Sequence, residues 1–220
     1  MEIINDINGE LINFYRVLKN EFSRLKKEVD STLHSREIHR EARIIYNYPE
    51  FFDRITRAWA LWVLSRMGFS GLIDGSWGYD IKTNKTVKTT RNSINNFTKE
   101  LSDRLENVQI ECEDALKVIR TRDTKNTFSF IDPLYVGSDQ GHYKGYTDED
   151  FENLLNLLSG IKGKFILTMF PHEILKKHIK KNRWTVKEIE RRITAAKTNR
   201  REQKELLVMN YKIDKRLIRD

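Results

Sequence analysis

One short segment has the residue types and spacing to grip an amino group on a flat ring. In "FIDPLYVGSDQGHYKGY", residues 130–146, Asp132 is followed by Pro133 and, after Leu134, by Tyr135. A carboxylate oxygen and a backbone carbonyl held rigid by proline can both accept hydrogen bonds from one amino group, while a tyrosine face stacks on the ring that carries it. That geometry turns the nitrogen lone pair toward an electrophile without a strong base. The bare pattern is also an ordinary turn, because Pro fixes φ and Gly tolerates φ > 0. A turn has no use for Tyr135, His142, Tyr143 and Tyr146 together, and these rings predict a planar ligand.

Two further acidic residues, Asp6 and Asp114, also follow predicted strands, and ligands of open α/β sheets collect beyond the carboxyl ends of strands. A carboxylate after one strand can accept from ribose hydroxyls, and one after another from an exocyclic amine. The set therefore suits an adenosine-containing cofactor. The alternative for Asp6 and Asp114 is helix N-capping, since both stand just before predicted helices.

The elements that must position these residues alternate. "MEIIND" predicts a short buried strand, and "INGELINFYRVLKNEFSRLKKEV" a helix, with Leu11, Phe14, Tyr15, Leu18 and Phe22 in helical period. Residues 30–65 read as helical, most clearly in "PEFFDRITRAWALWVLSRMGF". The glycines of "SGLIDGSWGYDIKTNKTVKTTRN" predict loop and hairpin, and "NSINNFTKELSDRL" a further helix. "NVQIECEDALKVI" is a strand running through Asp114 into a helix, and "TFSFIDPLY" a buried strand. "DEDFENLLNLLSGIKG" is helical, its acidic opening opposing the helix dipole. "KFILTMF", "WTVKEIE" and "ELLVMNYKI" are strands, the last two separated by the basic stretch "RRITAAKTNRREQK". Such alternation predicts an α/β fold with a mostly parallel sheet. Trp59, Trp62 and Phe69, at near-helical spacing, are expected in the core, and so is Cys112.

Composition narrows the function classes. With 39% apolar and 33% charged residues, the chain is expected to fold as a soluble globular protein. It has no apolar run of about 18 residues and no signal-peptide pattern at its start, so a cytoplasmic location and no membrane association are expected. A single cysteine excludes an internal disulfide, and the five histidines form neither HExxH nor an i, i+4 pair, so no metal is expected. Forty Lys and Arg against thirty-two Asp and Glu give a formal +8, which favours a polyanionic partner.

The residues around Asp132 carry a specific likeness. "FIDPLYVGSDQGHYKGYTDEDF" resembles the catalytic region of the Dam-type (D12 class) DNA adenine-N6 methyltransferases, whose motif is D-P-P-Y. "GKFILT", the "RWTVKEIERRITAAKTNRREQKELLVMNY" ending and "EIINDINGELINFYRVLK" extend the likeness over nearly the whole chain. The resemblance implies a Rossmann-like S-adenosylmethionine-dependent methyltransferase sheet with a mainly helical target-recognition insert. It implies a catalytic domain formed by residues 1–29 and 96–220, and an insert spanning 30–95. It implies that Asp132 and the Pro133 carbonyl accept from the N6 amino group of an adenine flipped out of double-stranded DNA, with Tyr135 stacked on the base. Asp6 matches the residue that holds the ribose of S-adenosylmethionine, and Asp114 the residue near the cofactor's adenine. Lys85, Lys88 and Arg91, in the insert, could contact phosphates or guanine edges, or belong to a solvated hairpin.

Two departures bear on activity. Leu134 replaces the second proline of the motif and frees a φ angle, an entropic loosening of about 1 kcal/mol. The family's F-x-G-x-G cofactor loop, expected after a first strand, has no counterpart: "GFSG" and "DGSWG" lie within the insert. The first strand thus looks missing, and its absence is expected to leave two neighbouring strands with unpaired backbone groups, at about 1–3 kcal/mol each. Net domain stability is only about 5–15 kcal/mol, so the chain alone is expected to be unstable or rearranged unless another segment fills the gap. An active methyltransferase, a catalytically inactive remnant that only binds DNA, and half of a split enzyme completed by a second polypeptide are the readings that follow.

Overall fold

The computed structural model describes residues 1–137, 145–192 and 202–213. These form a mixed α/β chain that divides into two compact units, residues 1–115 and 116–220. His142, Tyr143 and most of "RRITAAKTNRREQK" lie outside the described residues.

The first unit opens with strand β1 (Glu2–Asn5) and helices α1 (Gly9–Asn20) and α2 (Phe22–Asp30). A single helix was expected over α1 and α2. The chain instead breaks at Glu21, where φ is −136°, so that Leu25 and Val29 reach full burial. Glu21 fastens the corner through ion pairs to Arg24 (2.9 Å) and Arg54 (2.5 Å). Helices α3 (Arg36–Asn47) and α4 (Arg54–Met67) follow, and α4 is the axis of the unit. Its residues Ala58, Ala60, Trp62, Val63 and Leu64 are buried nearly all round, because α1, α2 and α3 cover it. Asp53 starts α4 by accepting from the Ile55 and Thr56 N–H groups at 2.8 and 3.3 Å.

Gly68 ends α4. A Cβ there would lie 2.4 Å from the Leu72 carbonyl and 2.7 Å from that of Leu64, so only glycine lets the chain double back so closely. The returning loop pairs Gly68 with Trp77 in one antiparallel bridge. The expected hairpin over 70–92 is not formed: its second half is helix α5 (Lys85–Asn95). The run Thr86, Val87, Thr90, Ile94 has a helical period that buries Thr90 and packs Ile94 on the core. Helix α6 (Lys99–Asp103) and strand β2 (Val108–Glu111) complete the unit. Phe69, expected in the core, is 57% exposed on the turn after α4, and Cys112 is half-buried at a strand end. Trp62 is core, and Trp59 is partly buried against it with its indole N–H on Thr32 Oγ1 at 2.8 Å.

Helix α7 (Ala115–Arg122) leads into the second unit, which holds β3 (Phe128–Ile131), α8 (Asp148–Leu158), β4 (Lys164–Met169), α9 (Glu173–Asn182), β5 (Thr185–Arg192) and β6 (Glu202–Met209). Thr147 and Asp150 close a capping box at the start of α8, which explains its acidic first turn. The basic segment 176–183 belongs mostly to α9, whose Leu175 and His178 are buried.

The strands form a parallel pair, β1–β2, and a four-stranded sheet in the order β3-β4-β6-β5. In the latter, β3–β4 is parallel, whereas β4–β6 and β5–β6 are antiparallel. The sheet is therefore less parallel than expected, because residues 193–201 between β5 and β6 are fewer than the dozen or so that a parallel crossover needs. Two strands expected to be buried are not. Glu2 of β1 is exposed and the other three residues are half-buried. On β3, Phe128 and Phe130 are 56% and 64% exposed, while Ile131 joins Phe151, Phe165, Leu167 and Val208 in the core. Among the described residues, β1 pairs only with β2, and β3 only with β4.

Candidate active site

Asp132 follows the last residue of β3, whose partner on β4 is Leu167. Parallel register therefore puts Asp132 beside Thr168, and Thr168 Oγ–H donates to Asp132 Oδ1 at 2.5 Å. The Tyr135 hydroxyl returns to the same oxygen at 3.2 Å and also contacts Glu205 Oε1 on β6. Glu205 is 3% exposed. Its position follows from register as well, since the next residue, Leu206, pairs with Met169 at the end of β4. Phe170 stands edge-to-face with the Tyr135 ring, centroids 4.4 Å apart at 86°.

Three adjacent strands thus build one network around a carboxylate. Burial first, and then the hydrogen bond to Glu205, raise the Tyr135 pKa far above the ordinary phenol value, so the hydroxyl remains a donor. Oδ1 of Asp132 accepts from Thr168 and lies within reach of the Tyr135 hydroxyl. Among the described residues no hydrogen bond falls on Oδ2, which leaves that oxygen as an acceptor in an exposed position. Tyr146, partly buried against the same core, has its phenol pushed up to about 12 by desolvation and by Asp150.

Asp6 and Asp114 share the carboxyl end of the β1–β2 pair. Asn5, the last residue of β1, clamps the strand ends by donating to the Glu113 carbonyl and accepting from the Glu113 N–H, both at 3.0 Å. Asp6 is half-buried and Asp114 exposed. Asp6 Oδ1 accepts from the Asn8 N–H at 2.7 Å, and Asn8, not Asp6, caps α1. The N-cap alternative for Asp6 is thereby replaced by a turn that leads into the cap.

Lys85, Lys88 and Arg91 are exposed at three-residue intervals along α5 rather than on a hairpin. In the loop before them, Trp77 and Tyr79 stack with centroids 5.4 Å apart, and the Arg36 guanidinium lies 4.9 Å from the Trp77 ring centre. The sequence reading missed Thr168, Phe170 and Glu205. Thr168 and Phe170 are signalled only by polar or aromatic character near the end of an apolar strand, and Glu205 only as a charged residue next to the apolar run Leu206–Met209. Among the described residues no group of three or more His, Cys, Asp or Glu could hold a metal ion, and no helix is long and apolar enough to cross a membrane.

A mixed α/β scaffold thus sets an Asp-Pro-x-Tyr turn at the carboxyl end of a sheet strand. The chain belongs to the D12 class N6 adenine-specific DNA methyltransferases, whose family model matches residues 1–206. Comparison with curated proteins gives no match. Membership makes the chain a methyltransferase by class and points to adenine N6 of DNA as the acceptor, which requires a methyl donor.

Proposed function

We propose that this protein transfers a methyl group from S-adenosylmethionine to N6 of an adenine flipped out of double-stranded DNA. The observation that carries the reading is the Asp132 network: Thr168 donates to one carboxylate oxygen, beside the Tyr135 hydroxyl, and the other oxygen is left to accept. In this reading Asp132 and the Pro133 carbonyl accept from the N6 amino group, which aligns the nitrogen lone pair for in-line attack. Tyr135 packs on the base. The methyl–sulfur bond breaks as the N–C bond forms, leaving S-adenosylhomocysteine, and the nitrogen, by then cationic, gives its proton to solvent, so no strong base is required.

The half-buried Asp6 accepts from the cofactor's ribose hydroxyls, and Asp114 lies toward its adenine. Two carboxylates at one strand end suit a hydroxyl-rich nucleoside, and the bound cofactor supplies an electrophilic methyl group. Residues 30–95 serve as the target-recognition insert, with Lys85, Lys88 and Arg91 on the phosphates or guanine edges, within a catalytic domain of residues 1–29 and 96–220. Family membership supports a Rossmann-like sheet, and a second polypeptide that adds a strand to it belongs to this reading. A cytoplasmic location accompanies access to DNA.

The test is transfer of labelled methyl groups to adenine-containing duplexes, preceded by calorimetric titration with S-adenosylmethionine. Micromolar binding and N6-methyladenine in the product are expected. Leu134, in place of the second proline of the motif, favours one second reading, a catalytically inactive remnant that binds DNA. It predicts duplex binding that weakens steeply with salt and no uptake of cofactor.

A further inference from the structure

Two carboxylates compete for one phenol beside the proposed methyl-acceptor site. The Tyr135 hydroxyl has a single proton, and both Asp132 Oδ1 and Glu205 Oε1 lie within its reach. The two acceptors differ: the Asp132 oxygen, 3.2 Å away, already accepts from Thr168 at 2.5 Å. Glu205 is also the better fixed partner. It sits within β6, paired opposite Ile189 on β5, and is 3% exposed, whereas Asp132 stands exposed beyond the end of its strand. A buried carboxyl group needs donors, and Tyr135 supplies one.

We propose that Glu205 is a positioning residue of the acceptor site: it draws the Tyr135 hydroxyl to itself, fixing the ring and leaving Asp132 free to accept from the substrate's amino group. This rests on the proposed function, because the amino group is the adenine N6. Without Glu205 the hydroxyl turns fully to Asp132. The carboxylate then spends its lone pairs on two internal donors, and the ring loses its fixed orientation. Glu205→Gln retains an acceptor oxygen at the same place, whereas Glu205→Ala does not.

The test joins two measurements on the full chain. In the first, 3-fluorotyrosine is placed at position 135, and its ionisation is followed by fluorine NMR in wild type, Glu205→Gln and Glu205→Ala; the fluorinated phenol titrates at lower pH, where folding persists. Loss of the Glu205 contact shifts the titration to lower pH in Glu205→Ala, and Glu205→Gln falls between. In the second, methyl transfer by Glu205→Ala drops about 10- to 100-fold in kcat, the worth of one hydrogen bond to a charged group, with KM for S-adenosylmethionine unchanged and Glu205→Gln restoring most of the rate. An unshifted Tyr135 titration in Glu205→Ala overturns the inference whatever the transfer assay gives. A full wild-type rate in Glu205→Ala overturns it too. A shifted titration in a chain whose wild type transfers no methyl group supports the Glu205 contact and overturns the proposed function instead. In the Tyr135→Phe background, Glu205→Gln is expected to change kcat no further, and a further tenfold loss there overturns action through the tyrosine.

Discussion

Asp6, at the end of β1, is held by its own stretch of chain: its Oδ1 takes the N–H of Asn8, two residues on. Asp132, at the end of β3, is held from afar, by Thr168 thirty-six residues later and by a tyrosine that reaches a glutamate seventy residues beyond it. The first arrangement needs only a turn, with the Asn5 clamp to keep β2 alongside. The second exists only once β3, β4 and β6 are in register. In the proposed roles, Asp6 accepts from hydroxyls and is built locally, whereas Asp132 presents one oxygen to a nitrogen while Thr168, from a neighbouring strand, holds the other.

The comparison breaks first at Asp132. Asp132→Ala is expected to lower methyl transfer by at least about a hundredfold, as loss of a preorganised polar group at a reacting centre does, with cofactor affinity unchanged by calorimetry. A variant that keeps a tenth of the rate would remove the assignment. Asp6→Ala is expected to do the converse, weakening S-adenosylmethionine binding about 10- to 100-fold before duplex binding is touched. Equal affinity in the two proteins would return Asp6 to a purely structural turn.

Asn5→Ala sharpens the contrast, since it removes two hydrogen bonds at 3.0 Å without touching Asp6. Urea unfolding should show a loss of about 1–2 kcal/mol, and an unchanged midpoint would mean that the clamp contributes nothing. Leu134→Pro should stiffen the Asp132 turn and raise kcat about fivefold, from about 1 kcal/mol of loop entropy; no gain would show that Pro133 alone sets the loop.

The smallest effect is on pH. Burial lowers the pKa of His34 and His39 in the first unit and of His178 in the second below the ordinary 6.5. For each, the unfolded chain takes up protons before the folded one. Stability is therefore full above pH 6.5 and falls between 6.5 and the depressed folded values. Tm should drop by a few degrees from about pH 7.5 to about pH 5.5, and less in His39→Gln. Equal melting points would argue against burial of these rings.

Much of this was legible before any coordinates. Period and composition placed β2, α7, α8 and β4 correctly, because each combines a strong apolar pattern with a clear start, and the family followed from the residues about Asp132. Helix α5 was hidden by the turn-forming glycines and Asn84 before it, and the α1–α2 break by a helical period that runs unbroken through Glu21. The exposed Phe128 and Phe130 read as core, since an apolar side chain does not announce which face of a sheet is covered.

By itself the sequence determined which residue types stand where: an acid before a proline and a tyrosine, two more acids after strands, and the basic residues Lys85, Lys88 and Arg91. Only tertiary structure decided which atoms these residues share. Register carries Thr168 and Glu205 to Asp132 and Tyr135 across 36 and 70 residues, and register is fixed by packing along whole strands rather than by any local spacing.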